Sequence, residues 1–169
     1  MVQALGVGVR VRDGEVGVGD DTLFASIYPG LRRFAAATGP MEVDPDDLVQ
    51  EAVARTLRRH RLCDLDEPAA YLRRVIVNLA SNHRRGLARW RAALPRLRPE
   101  ETDAAPEYAS DLADLMRLGP DTRAVLYLVE VEGASYAEAA AVVGTTEDAA
   151  RARAMRGRKQ LRMNIEGEQ

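Results

Sequence analysis

The sequence holds one cysteine, two histidines and few aromatics, which make up 5% of its 169 residues. A lone Cys63 excludes a disulfide framework and a cysteine-based zinc site, and it fits a reducing compartment. So few aromatics beside heavy use of Ala and Arg favour helices over sheets. No run approaches the roughly 18 consecutive apolar residues of a membrane span. The N-terminus also lacks the basic–apolar–small pattern of a signal peptide. The expectation is a cytoplasmic protein with no membrane insertion. His60 and His83 have no ligand partner at i+4, and Gly14 to Gly19 offers only a stray Gly-x-Gly without a strand-to-helix context. No catalytic constellation emerges, so the chain reads as no enzyme, with no metal and no cofactor.

Charge of one sign is not in excess either. The net charge is −2 and the pI about 5.8, which as averages argue against nucleic acid. The local distribution reverses that. Twelve Arg stand between Arg55 and Arg98, against Asp64, Asp66 and Glu67. Six basic residues and no acid stand between Arg151 and Arg162. Acids collect around Glu42 to Glu51 and Glu100 to Asp114. Screening limits the reach of a distant charge to about 8–10 Å, so a basic patch acts locally even on a neutral chain.

The chain divides into segments. Residues 1–20, rich in Gly and Val, read as a disordered N-terminal extension, with a short hairpin around Asp13-Gly14 as the alternative. In residues 21–94, Phe24, Ile27, Tyr28, Leu31 and Phe34 recur at helical spacing up to Gly39-Pro40. Asp44 then suits a helix N-cap, Pro45 the first helical position and Asp47 the positive end of the dipole. A loop from Cys63 to Pro68 precedes a third helix, from about Ala69 to Trp90. Residues 95–110 are Pro-rich and acidic and read as a flexible linker. Residues 111–163 are helical again, and 164–169 form a polar tail. The fold class is therefore all-α, with two small helical domains joined by that linker.

The second domain carries a helix-turn-helix spacing. Ser135-Tyr136-Ala137-Glu138 is a capping box. The helix it opens stops at Gly144, which suits the left-handed cap. Thr145-Thr146-Glu147-Asp148 starts another helix at once. On that helix Ala150, Ala154, Gly157 and Leu161 make one narrow apolar seam, while Arg151, Arg153, Arg156, Lys159 and Arg162 spread over the remaining arc. Arg suits both phosphate contact and guanine readout. In the first domain, Asp47, Gln50 and Glu51 share a polar face. Arg74, Asn78, Ser81, Asn82 and Arg85 share an outer stripe that also reads as an ordinary solvated helix face.

Asp47-Leu48-Val49-Gln50-Glu51 followed by the run Pro68 to Arg85 resembles region 2 of bacterial sigma-70 factors. Glu132 to Arg162 resembles region 4. Two such blocks with only a short linker between them are similar to the extracytoplasmic-function (ECF) group, and the Ala/Arg-rich character is similar to its actinobacterial members. The resemblance spans about residues 22–163. It implies a factor that binds core RNA polymerase and directs promoter-specific initiation. Asp47, Leu48, Val49, Gln50 and Glu51 would dock on the polymerase, whose β′ clamp helices and β subunit are the implied partners. Arg73, Arg74, Asn78, Ser81, Asn82, Arg84 and Arg85 would contact the −10 element. The Cys63–Pro68 loop would help capture a flipped base. Arg151, Arg153, Met155, Arg156 and Arg158 would contact the −35 element of promoter DNA. An anti-sigma factor that clamps both domains is a further implied partner.

Family members often carry Thr-Val where this chain has Ala149-Ala150, and a larger apolar residue at Ala154. The thin seam predicts a recognition helix docked more loosely than usual. Two rival readings remain at this level: a plain helix-turn-helix regulator, and a sigma-like decoy that binds polymerase without supporting initiation.

Overall fold

Asp44 accepts from the backbone N–H of Asp46 at 2.8 Å, and with Pro45 behind it the chain turns into a 13-residue helix. The same local chemistry places the other elements. The computed structural model describes residues 19–93 and 110–167. Helix α1 runs Asp20–Thr38 and continues through Pro29, where one intrahelical hydrogen bond is lost. Helix α2 is Pro45–Leu57, a 3₁₀ turn covers Leu62–Asp64, and α3 is Pro68–Ala93. The second half holds α4 (Ser110–Arg117), α5 (Pro120–Leu126), a π-helical turn (Tyr127–Val131), α6 (Tyr136–Val143) and α7 (Glu147–Gly167). The expected hairpin or extension at 1–20 lies almost wholly outside the described residues, as does nearly all of the 95–110 linker. Helix α7 continues to Gly167, where the sequence reading placed a polar tail from 164.

Helices α1, α2 and α3 pack on one another through Leu31, Phe34, Val49, Ala52, Leu72, Ile76 and Val77, all at most 2% exposed. Burying one such side chain stabilises the fold by about 1.5–3 kcal/mol. The second half packs α7 across α5 and α6, around Val125, Leu128, Ala139, Ala150 and Ala154. The two cores do not stay separate. They run together into one apolar cluster, with α1 and α3 against α5, and α3 against α6. Phe34 stands at the join, its ring edge-on to Tyr127 at 5.7 Å and its face 5.6 Å from the Arg73 guanidinium carbon.

Candidate nucleic-acid interface

The helix-turn-helix forms as its caps dictate. Ser135 and Glu138 satisfy each other's backbone N–H groups, and two hydrogen bonds from Ser135 hold the Glu138 carboxyl below its ordinary range. Gly144 takes φ 71°, a left-handed cap that a side chain would strain. Thr146 accepts from Ala149 N–H at 3.3 Å and opens α7.

The apolar side of α7 overturns the loose docking expected from its small residues. Ala150 and Ala154 are fully buried, and a Cβ on Gly157 would meet Thr122 and Leu126 at 2.8 and 2.9 Å. Small residues bring the backbone of α7 close to α5, so a thin seam gives a close contact in place of a slack one. Away from the seam, Met155 and Arg156 are exposed. Arg151 pairs with Glu147 at 2.7 Å and Asp148 at 3.2 Å, and lies 5.3 Å from the Tyr136 ring centroid. Arg158 donates to Glu130 and to the Tyr136 hydroxyl, and both partners raise its guanidinium pKa. Arg153 is half-buried, with one nitrogen 3.9 Å from Asp121, too far to count as a hydrogen bond.

On α3 the seven −10 candidates divide between two faces. Asn78, Asn82 and Arg85 are exposed, and Arg85 donates to Asn82 Oδ1 at 2.7 Å. Arg73, Arg74, Ser81 and Arg84 are turned toward the second half. Arg73 pairs with Glu132 at 3.0 Å, Arg74 donates to the Ala141 carbonyl at 3.4 Å, and Ser81 donates to Asp121 at 2.9 Å. The Arg84 guanidinium, itself exposed, lies against Gly119. The single outer stripe read from spacing is therefore two stripes, and only one of them is open.

On α2, Asp47, Gln50 and Glu51 are exposed, and Glu51 pairs with Arg55 one turn on. Leu48 and Val49 do not belong to that surface. They are 7% and 0% exposed, because their positions on the helix turn inward to the core. The exposed part of the candidate docking motif is thus Asp47, Gln50 and Glu51, with Leu48 and Val49 packed beneath it.

The structure adds residues that spacing did not indicate. Arg55, Arg58, Arg59 and Tyr71 line a cavity of about 400 Å³ near the loop that was expected to capture a base. That loop is anchored by buried Leu62 and Leu65, and by a hydrogen bond from Cys63 N–H to Asp20 at 3.0 Å. The Arg cluster was visible as charge, but its convergence with Tyr71 depends on how α2 meets α3. Arg123 falls in the helical block 111–163 with no spacing signal that sets it apart. It is 5% exposed, and its guanidinium donates to the carbonyls of Thr38 at 2.7 Å and Gly39 at 2.9 Å. Burial, with Arg84 nearby, lowers its pKa to about 10, so it stays charged at neutral pH. Among the described residues no cluster of His, Cys, Asp and Glu is arranged to hold a metal, and no helix is long and apolar enough to cross a membrane.

Comparison with known proteins agrees with this layout. The Sigma-70 region 2 family matches residues 23–103, and Sigma-70, region 4 matches residues 115–161. The chain is 33% identical over 146 residues to the ECF RNA polymerase sigma factor SigE of Mycolicibacterium smegmatis, covering 77% of this chain and 55% of that one. It is 30% identical over 165 residues to the RNA polymerase sigma factor CarQ of Myxococcus xanthus, covering 90% of this chain and 92% of that one. In fold it resembles the sigma factor RpoE of Bartonella quintana, solved in complex with the anti-sigma factor NepR. That match has a TM-score of 0.65 at 20% identity, over 88% of this chain and 98% of the other. With both regions present in order and a relative matched over nearly its whole length, the chain belongs to the sigma-70 family, in its extracytoplasmic-function group.

Proposed function

We propose that the chain docks on core RNA polymerase through Asp47, Gln50 and Glu51 and directs initiation by reading two promoter elements with two separate basic helices. On α3, Asn78 and Asn82 would meet base edges, while Arg73, Arg74, Ser81, Arg84 and Arg85 would hold the backbone. The cavity lined by Arg55, Arg58, Arg59 and Tyr71 is sized and charged for an unstacked nucleotide. Tyr71 gives it one stacking surface, worth about 1–3 kcal/mol per base. On α7, Met155 and Arg156 are open to a major groove, whereas Arg151, Arg153 and Arg158 would exchange internal carboxylates for phosphates. The observation that carries this reading is the separation of surfaces. One acidic face sits on α2, and one basic helix sits on each half of the chain.

A cytoplasmic location and the lack of catalytic activity follow from the same reading. So does inhibition by an anti-sigma protein, the kind of partner seen with RpoE. An apolar cavity of about 690 Å³ between the halves, lined by Ile27, Ala70, Leu128, Ala137 and Val142, is large enough for a segment of such an inhibitor.

Run-off transcription with core polymerase on genomic fragments tests the proposal. Transcripts that require this chain and start downstream of a shared pair of elements are expected. Polymerase binding with no transcript from any fragment would leave a decoy. Tight duplex binding by the free chain alone would leave a simple regulator.

A further inference from the structure

Three guanidinium groups reach one cavity of about 230 Å³ from two helices far apart in the chain. Arg84 and Arg85 enter it from α3 with Ser81, and Arg153 enters from α7, while Gly119 to Thr122 form its wall at the start of α5. Asp121 is the one carboxylate among the described residues that line it, which leaves an excess of two positive charges. That carboxylate is already engaged, since it accepts from the Ser81 hydroxyl at 2.9 Å. Arg153 stands 3.9 Å from it, beyond hydrogen-bond reach.

The donors of this cavity are under-used. Arg153 Nη1 is shut off from solvent and has no hydrogen-bond partner among the described residues. A charged donor left desolvated and unpaired costs free energy, which an acceptor placed in the cavity would recover. Arg85 donates to the neutral Asn82 amide, and Arg84 has no carboxylate partner among the described residues. Arg84 instead presses on Arg123, whose pKa burial, and then this like charge, lowers to about 10. An anion beside Arg84 would relieve that repulsion.

We infer that this cavity binds a small, free, polyvalent phosphate, held between α3 and α7 by Arg84, Arg85 and Arg153. Two or more negative charges match the excess, and the planar forks of arginine take phosphate oxygens in pairs. A cavity of this size, walled by the start of α5, admits one or two phosphate groups and no continuous nucleic-acid strand. Its arginines come from both halves, so the ligand binds all three only while the halves are packed. By mass action it stabilises that packing. The inference needs only the positions of these side chains and does not rest on the promoter reading.

Calorimetric titration and thermal melting of the full chain with sodium pyrophosphate, at ionic strength matched by sodium chloride, test the site. Saturable binding of one pyrophosphate per chain is expected, with a Tm that rises with its concentration. Arg84→Gln and Arg153→Gln should each weaken binding about tenfold, the equivalent of one charge-assisted hydrogen bond. Arg153→Lys keeps the charge without the fork and should fall between the two, which decides the matter if Arg153→Gln misfolds. Arg32→Gln/Arg33→Gln removes exposed charge on α1 and should bind as the unaltered chain does. ATP separates the sources of the phosphate: a nucleotide site binds it much more tightly than pyrophosphate, an inorganic site does not, and either result supports the cavity. Heats that never saturate, an equal loss in the α1 control, or sensitivity to Arg84 without sensitivity to Arg153 overturns the inference. So does a short single-stranded DNA that shows the arginine losses while pyrophosphate shows none, which would give these groups to DNA alone.

Discussion

Helices α3 and α7 are both basic and both assigned to DNA, yet they are held by opposite means. Helix α3 is anchored by large side chains, Leu72, Ile76, Val77 and Leu79, each at most 9% exposed. Helix α7 is anchored by Ala150, Ala154 and Gly157, which let its backbone approach α5. Bulk gives α3 strength across two interfaces, since it packs on α1 and α2 on one side and on α5 and α6 on the other. Small residues give α7 proximity. The consequence for function differs as well: α3 has half its polar groups turned inward, whereas Met155 and Arg156 of α7 remain open. Bulk at a seam therefore measures neither how firmly a recognition helix is seated nor how ready it is to bind.

Substitutions can break that contrast. Ile76→Ala should have the largest effect, about 2–5 kcal/mol of stability. It should lower Tm by roughly 2–4 °C for each kcal/mol in a calorimetric scan. Gly157→Val forces branched bulk against Thr122 and Leu126 and should cost about 1–3 kcal/mol, by overpacking instead of a cavity. If α7 were loosely docked, the same change would leave Tm unaltered. Asn78→Ala, on the open stripe of α3, should leave Tm in place and weaken promoter complexes by about 1 kcal/mol, roughly fivefold, with relaxed preference at one base. Arg85→Ala should weaken binding uniformly across sequences and reduce the salt slope by about 0.7–0.9.

The smallest effect concerns pH and separates the two halves by their caps. The folded state holds the Glu138 carboxyl below its ordinary value of 4.5. Its contribution is therefore fully present above that pH and is lost as pH falls through the lower folded value. Amide exchange at the start of α6 should accelerate in that acid window. Glu138→Gln should flatten the response.

Caps and turns were legible because they are local. Asp44, Pro45, Ser135, Glu138 and Gly144 each act on backbone within four residues, so their spacing alone located α2, α6 and the turn before α7. The inward faces of α2 and α3 followed from helical periodicity. Periodicity also turns Leu48 and Val49 inward, as found; what slipped is the motif reading that counted them with the docking residues. They sit inside a motif whose flanks are exposed, and a motif is contiguous in sequence while a helix face is not. The docking of α7 was misjudged for a related reason. Side-chain volume is a property of residues, but the distance between helix axes is set by the partner surface, here Thr122 and Leu126.

Sequence alone determined the family, the all-α character, the two basic helices and the acidic face of the helix that precedes them. These depend on residue type at fixed spacing, which the chain carries in one dimension. Only the tertiary structure decided that Arg123 of the second half closes the end of α1, that Asp121 and Glu132 face α3, and that the polar groups proposed for the −10 element divide into an open and a covered stripe. Those contacts join residues more than 35 positions apart. Charge and spacing along the chain do not encode which distant carboxylate a guanidinium will meet. That choice is made by the packing of Phe34, Tyr127 and the merged core that brings the two halves together.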